Sequence, residues 1–191
     1  MKTIKSQSEV IIISEKVQRM RIKTLIEFLK NLKNEKIKGR LLDIGCQEGE
    51  ITWMLHKEGF EAHGVDINYK QIEKAKQKYP QIEFKQADCG NKIPFPNNFF
   101  DVVWAGDVIE HICNTDIFIN EVNRVLKKGG LFILSIPTHN RTKNVIIAFF
   151  RFEKHFDPEF PHYRFYTLKS LRKVLEKRGF KYIVVIDTKF L

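Results

Sequence analysis

Cysteine is scarce in this chain. Its three residues, Cys46, Cys89 and Cys113, stand far apart and are odd in number. No C-x-x-C pair occurs, which argues against a zinc site and leaves metal ligation without a candidate. The thiols read as reduced, the default for a cytosolic chain. Long apolar runs are missing too. Val10-Ile11-Ile12-Ile13 is too short for the apolar core of a signal peptide. Nothing approaches the ~20 residues of a membrane span. The expectation is a soluble, cytoplasmic protein with no membrane span. Negative charge is in deficit, with 23 Asp+Glu against 33 Lys+Arg and a net charge of +10. That permits an anionic partner such as nucleic acid, but the lysines are scattered rather than blocked, as on a plain solvated surface.

What is present is ordinary for a globular protein. The 191 residues fit one domain, and 43% hydrophobic against 29% charged content supplies a full core. The organising stretch is Leu41-Leu42-Asp43-Ile44-Gly45-Cys46-Gln47-Glu48-Gly49. Arg40 to Ile44 reads as a buried strand, and Ile51, Met54 and Leu55 follow at helical spacing. A strand, a glycine turn and a helix N-terminus expose bare backbone amides to a ligand. A dinucleotide would call for G-x-G-x-x-G, and here the spacing is Gly45-x-x-x-Gly49. Asp43 before the turn would repel a pyrophosphate and suit an ammonium or sulfonium, because a charge within roughly 4–6 Å shifts such equilibria strongly. The turn therefore favours S-adenosylmethionine. The alternative is an α/β turn with no ligand.

The rest of the chain alternates. Helices are expected over Glu15–Asn34 (capped by Ser14), Glu48–Glu58, Tyr69–Tyr79, Thr115–Lys127 and Thr167–Arg178. Strands are expected over Arg40–Ile44, Glu61–Ile67, Ile82–Ala87, Phe100–Ala105, Leu131–Ile136 and Phe180–Ile186, with Gly129-Gly130 ending the fourth helix. This is an α/β, doubly wound, mostly parallel sheet with right-handed crossovers. Residues 1–38 would form a helical extension and 137–166 an insertion, within one domain spanning 1–191.

Ligands of such sheets bind past the carboxyl ends of the strands. Gly45, Asp66, Asp88 and Asp107 all fall there. Asp66 can accept both hydroxyls of a ribose. Ile67 can cover an adenine face, Asp88 can accept from its amino group, and Cys89 can offer a backbone N–H. Asp107 would face the methionine end or the acceptor. With Asp43 these residues make an acidic rim on a basic protein. His111, beside Glu110, is the candidate general base. The aromatic segment Asn144–Tyr166 reads as a lid, with Phe152, Phe156, His162 and Tyr163 as acceptor contacts and His155 a weaker candidate.

Together the quoted turn, Phe100-Asp101-Val102-Val103-Trp104-Ala105-Gly106-Asp107-Val108-Ile109-Glu110-His111 and Glu121-Val122-Asn123-Arg124-Val125-Leu126-Lys127-Lys128-Gly129-Gly130 resemble the class I S-adenosylmethionine-dependent methyltransferases. Within them the chain is most similar to the small-molecule group that includes quinone and lipid methyltransferases. Tyr163-Arg164-Phe165-Tyr166-Thr167 resembles the family segment that enters the last helix. The resemblance implies a Rossmann-like fold and S-adenosyl-L-methionine as cofactor. Gly45 and Gly49, with Cys46 in the same turn, would meet its methionine part. Asp43 would set the charge, Asp66 would hold the ribose and Asp88 the adenine. It implies methyl transfer to a small-molecule or lipid-like acceptor. A non-catalytic cofactor-binding protein and a nucleic-acid methyltransferase are the alternatives. Gln47 departs from the middle glycine of the family turn. The family sheet has seven strands, the last antiparallel. Only six are legible here, so the expectation is a six-stranded sheet with the usual seventh missing and an edge left exposed or covered in a homodimer.

Overall fold

The computed structural model describes residues 9–14, 18–33, 39–136, 145, 149–150, 163–180 and 182–187. Seven strands and five α-helices alternate along them. They are β1 (Glu9–Ser14), α1 (Gln18–Lys33), β2 (Arg40–Ile44), α2 (Glu50–Lys57), β3 (Glu61–Asp66), α3 (Tyr69–Lys78), β4 (Glu83–Gln86), β5 (Phe100–Gly106), α4 (Thr115–Val125), β6 (Leu126–Ser135), α5 (Leu168–Glu176) and β7 (Tyr182–Asp187). A 3₁₀ turn, Ile109–His111, lies between β5 and α4. The sheet order is β4-β3-β2-β5-β6-β1-β7, and every pairing in it is parallel.

The six expected strands all form and all run parallel. The expected strand count needs correction, because β1 joins them as a seventh. It sits between β6 and β7, pairing Val10 with Phe132 and Ile183, and Ile12 with Leu134 and Val185. Residues 9–14 are thus a sheet strand instead of part of a helical extension, and Ser14 ends that strand. The reason is burial on both faces. Val10 and Ile12 are fully buried in the cluster that α4 and α5 cover, while Ile11 enters the cluster beneath α1 and α2. A four-residue apolar run carries no local signal for this, since its partners lie more than a hundred residues away.

A second correction concerns Gly129-Gly130. Helix α4 ends at Val125, and Leu126 already pairs with Phe100 as β6 begins. The register slips between Phe100 and Val102. There Gly129 takes a φ of +76°, and a Cβ on Gly130 would meet the Lys127 and Asp101 carbonyls at 2.9 and 3.1 Å. The glycines permit a bulge inside the strand instead of closing the helix.

Two side-chain layers enclose the sheet. On one face Leu25, Leu29 and Leu55 pack over Leu41, Val102, Trp104 and Ile133. On the other, Phe118, Val122, Leu171 and Leu175 pack over Leu42, Val103, Phe132 and Leu134. The chain leaves β2 toward β3 on one side and later returns to β5 on the other. The carboxyl ends of β2 and β5 therefore flank the crevice where a doubly wound sheet takes its ligand.

Candidate functional site

The turn after β2 is held by backbone. The Gly45 and Cys46 N–H groups both donate to the Val65 carbonyl, at 2.8 and 3.1 Å, and the Gly49 N–H donates to the Cys46 carbonyl at 2.9 Å. Gly45, Gln47 and Gly49 have φ of +76°, +50° and +86°. At Gly45 a Cβ would also lie 2.6 Å from Val108 Cγ2, so a side chain there meets both strain and a clash. Gln47 accepts the left-handed conformation with its side chain exposed. Left-handed backbone costs an ordinary residue roughly 1–2 kcal/mol and glycine loses about 0.5–1 kcal/mol in entropy. Gln47→Gly should therefore raise stability by about 0.5 kcal/mol, read as a small upward shift of the denaturant midpoint. A drop would mean that the Gln47 side chain makes a stabilising contact.

The Gln47 N–H also donates to Asp66 Oδ2 at 3.0 Å, and the Asn68 N–H donates to Asp66 Oδ1 at 2.8 Å. Asn68 in turn caps α3, its Oδ1 accepting from the Lys70 and Gln71 N–H groups. The ends of β2 and β3 are thus locked together through one carboxylate. After β4, Asp88 Oδ1 accepts from the Gly90 N–H at 2.9 Å, an Asx turn. The loop beyond it is clamped from α4. The Arg124 guanidinium donates to the Ile93 and Phe95 carbonyls and to both oxygens of Glu121, and Glu121 Oε2 accepts from the Ile93 N–H. That clamp gives the Glu121–Gly130 motif a structural task.

These elements enclose a cavity of about 550 Å³. Gly45, Asp66, Ile67, Asp88, Cys89, Asp107, His111 and Tyr163 all line it, so eight of the sequence-expected residues converge. Asp107 holds a φ of +53°, anchored by its N–H to the Ser135 carbonyl at 3.0 Å. Asn114, and not Asp107, caps α4. Tyr163 arrives from afar because the Tyr163 and Arg164 N–H groups donate to the carbonyl of buried Glu110. Thr115 Oγ1 and the Tyr166 hydroxyl, 3.2 Å apart and buried, tie the same two segments.

A smaller cavity of about 240 Å³ adjoins it, sharing Gly45, Gln47 and Gly106. Asp43 and Cys46 line this one. Asp43 therefore lies beneath the turn rather than on the rim, which corrects the expectation of four rim aspartates. It is 1% exposed, and its Oδ2 accepts from the Thr52 hydroxyl at 2.6 Å. Burial, partly offset by Thr52, pushes its carboxyl up to about 7. Gly49 lines neither cavity; a Cβ there would press on Phe84 and Tyr79. Burial also raises the Cys46 thiol far above its ordinary range and pushes Cys89 up to about 12. Neither is a thiolate near neutral pH, so neither serves as a nucleophile.

Sequence reasoning missed Val108, Ile112, Cys113, Asn114 and Ile117, which also line this cavity. Their only signal is position just past β5. Phe152, Phe156, His155 and His162 lie outside the described residues. Phe149 and Phe150 are described and strongly exposed.

The family model described as "Methyltransferase domain" matches residues 15–185 of the chain. The chain belongs to this methyltransferase family. Among curated relatives, it is 27% identical to the 2-methyl-6-phytyl-1,4-hydroquinone methyltransferase of Synechocystis sp., over 73% of this chain and 45% of that one. It is 35% identical to the ubiquinone biosynthesis O-methyltransferase of Pelagibacter ubique, over 62% of this chain and 48% of that one. The chain thus spans about half the length of these relatives. Among solved structures, phosphoethanolamine N-methyltransferase 2 of Haemonchus contortus, in complex with S-adenosyl-L-methionine, superposes with a TM-score of 0.63. It covers 82% of this chain and 36% of that one at 23% identity, a likeness of fold. In this methyltransferase domain, the turn, the end of β5 with Asp107 and the Glu121–Arg124 clamp belong to the segments that carried the resemblance. None of its described helices is long and apolar enough to cross a membrane.

Proposed function

We propose that the chain transfers a methyl group from S-adenosyl-L-methionine to a small-molecule or lipid-like acceptor by in-line displacement. One observation carries the reading. Among the described residues, three carboxylates and no lysine or arginine line the larger cavity, and Asp43 and Glu50 add two more in the smaller. A pyrophosphate would find only repulsion there, whereas a sulfonium and an ammonium suit it. Asp66 spends one acceptor site of each oxygen on backbone, leaving capacity for a ribose diol. Ile67, Asp88 and Cys89 would hold the adenine, and Asp43 with Gly45 and Cys46 the methionine end.

The cofactor, when bound, supplies an electrophilic methyl. The chain's own contribution is then orientation and exclusion of water. The names of the relatives support a quinone-type acceptor carrying a hydroxyl. His111, which lines the same cavity, would take the proton of that hydroxyl. Tyr163, with Phe152, Phe156 and His162 of the lid segment, would bound the acceptor. An acidic mouth argues against a nucleic-acid substrate. The three free cysteines support a cytoplasmic location. A homodimer would use the β7 edge, whose far side pairs with no strand among the described residues.

Titration calorimetry with S-adenosylmethionine and S-adenosylhomocysteine, followed by mass spectrometry of a quinol incubated with the protein, tests this. Heat with both and a methylated quinol are expected. Heat without any product would favour a non-catalytic binding protein, and no heat with either ligand would remove the reading. His111→Gln should lower turnover at least about tenfold and leave cofactor affinity unchanged. Parallel loss of both would make His111 structural.

A further inference from the structure

The strongest feature outside the cavity is the outer face of α5. Leu168, Leu171 and Leu175 turn inward, the last two fully buried. The opposite face carries Lys169, Arg172, Lys173 and Lys177, all exposed, against a single acid, Glu176. Helical spacing puts these cations in one row, and a shallow groove runs along Thr167, Lys169, Ser170, Arg172, Lys173 and Glu176. The charge of this row is almost all of one sign, and none of its four cations forms a salt bridge among the described residues, whereas Lys74, Lys76, Lys78, Lys85, Arg124, Lys127 and Arg178 do. The first turn of α5, like those of α1 and α3, holds no acidic residue to offset it. Cations near a helix N-terminus oppose the macrodipole, so the fold gains nothing from Lys169 there.

Exposed aromatic rings precede the row in the chain. Tyr163 is 65% exposed and Phe165 38%, immediately before the α5 cap at Thr167. Phe149 and Phe150, earlier in the chain, are exposed at 78% and 81%. Cations attract anionic headgroups, and rings settle at headgroup depth. A long polyanion fits less well. The neighbouring cavity mouth bears Asp66, Asp88 and Asp107, which would repel a nucleic-acid strand crossing it, while a bilayer need touch only the protruding face.

We infer that the α5 face, with Tyr163 and Phe165, docks the protein on an anionic membrane surface. The docking stands apart from the methyl-transfer reading.

Vesicle co-sedimentation of the full chain tests it. Vesicles of phosphatidylcholine alone are compared with vesicles in which a third is replaced by phosphatidylglycerol. Binding is expected to the anionic vesicles only, and to collapse in about 1 M salt, where the Debye length falls to ~3 Å. The combined variant Lys169→Gln, Arg172→Gln, Lys173→Gln, Lys177→Gln should lose at least roughly a hundredfold in partitioning, since each cation near the surface contributes about a factor of five. Its thermal midpoint and S-adenosylmethionine affinity should match those of the unmodified chain. Equal binding to neutral vesicles, salt-insensitive binding, a variant that partitions undiminished, or an oligonucleotide held more tightly than the anionic vesicles would each overturn the inference. The lipid and salt comparisons decide the matter even if the variant does not fold. S-adenosylmethionine affinity, read separately, reports on the methyl-transfer reading alone.

Discussion

Asp66→Ala should weaken S-adenosylmethionine binding by about two to four orders of magnitude. Each hydrogen bond to a charged group contributes on the order of 1.5–3 kcal/mol, and a ribose diol would make two to this carboxylate. The substitution also releases the Gln47 and Asn68 N–H groups, which hold the glycine turn against the end of β3. Those groups can turn to water because the site is open, so the cost falls on binding more than on folding. Asp66→Asn keeps an acceptor oxygen and should fall between the two, losing about tenfold. Calorimetry with S-adenosylmethionine decides this. A loss for Asp66→Ala below about tenfold (1.4 kcal/mol) would place the ribose elsewhere.

Asp43→Asn should make the protein more stable and a poorer cofactor binder. The buried Asp43 carboxyl has its folded-state titration at about 7 against an ordinary 3.8, with burial the largest cause. Between those two values the folded chain keeps a proton that the unfolded chain has lost. Stability therefore falls as pH rises across that window, at up to about 1.4 kcal/mol per unit, and levels off above it. The asparagine variant escapes this penalty. Its advantage over the unmodified chain should be small near pH 4 and reach on the order of 4 kcal/mol near pH 8. Denaturant midpoints across pH measure it, and an advantage independent of pH would show that Asp43 is not the titrating group. Binding should run the other way. Affinity of the unmodified chain for S-adenosylmethionine should rise as pH passes through about 7, because the ionised carboxylate beneath the turn attracts the ammonium. The variant should show no such rise. A buried charge that destabilises the empty protein is what a cation-binding site requires, and it accounts for an ionisable group at a position where a leucine would pack more favourably.

Much of this protein could be read from its residues. The six strands named from the sequence all formed, because a buried parallel strand is a dense apolar run bounded by glycine, proline or charge. Phe100 to Ala105 is such a run. The strand-end aspartates were legible for a related reason. In a doubly wound sheet, position past a carboxyl end fixes which rim a residue reaches. The helix ends at Thr167 and Gly179 were legible, where side-chain chemistry or a positive φ is a local matter.

The chain alone thus determined its layered α/β plan and which residues fall past the strand ends, both of which follow from short-range periodicity and turn chemistry, while its motifs carried the resemblance to the methyltransferase family. Only the folded molecule decided that Val10 to Ile13 belongs in the sheet, that Gly129-Gly130 eases a bulge, and that Asp43 sits under the turn. Each of those outcomes depends on partners distant in sequence. Burial and pairing between such partners are properties of the packed whole, and no local pattern of residues encodes them.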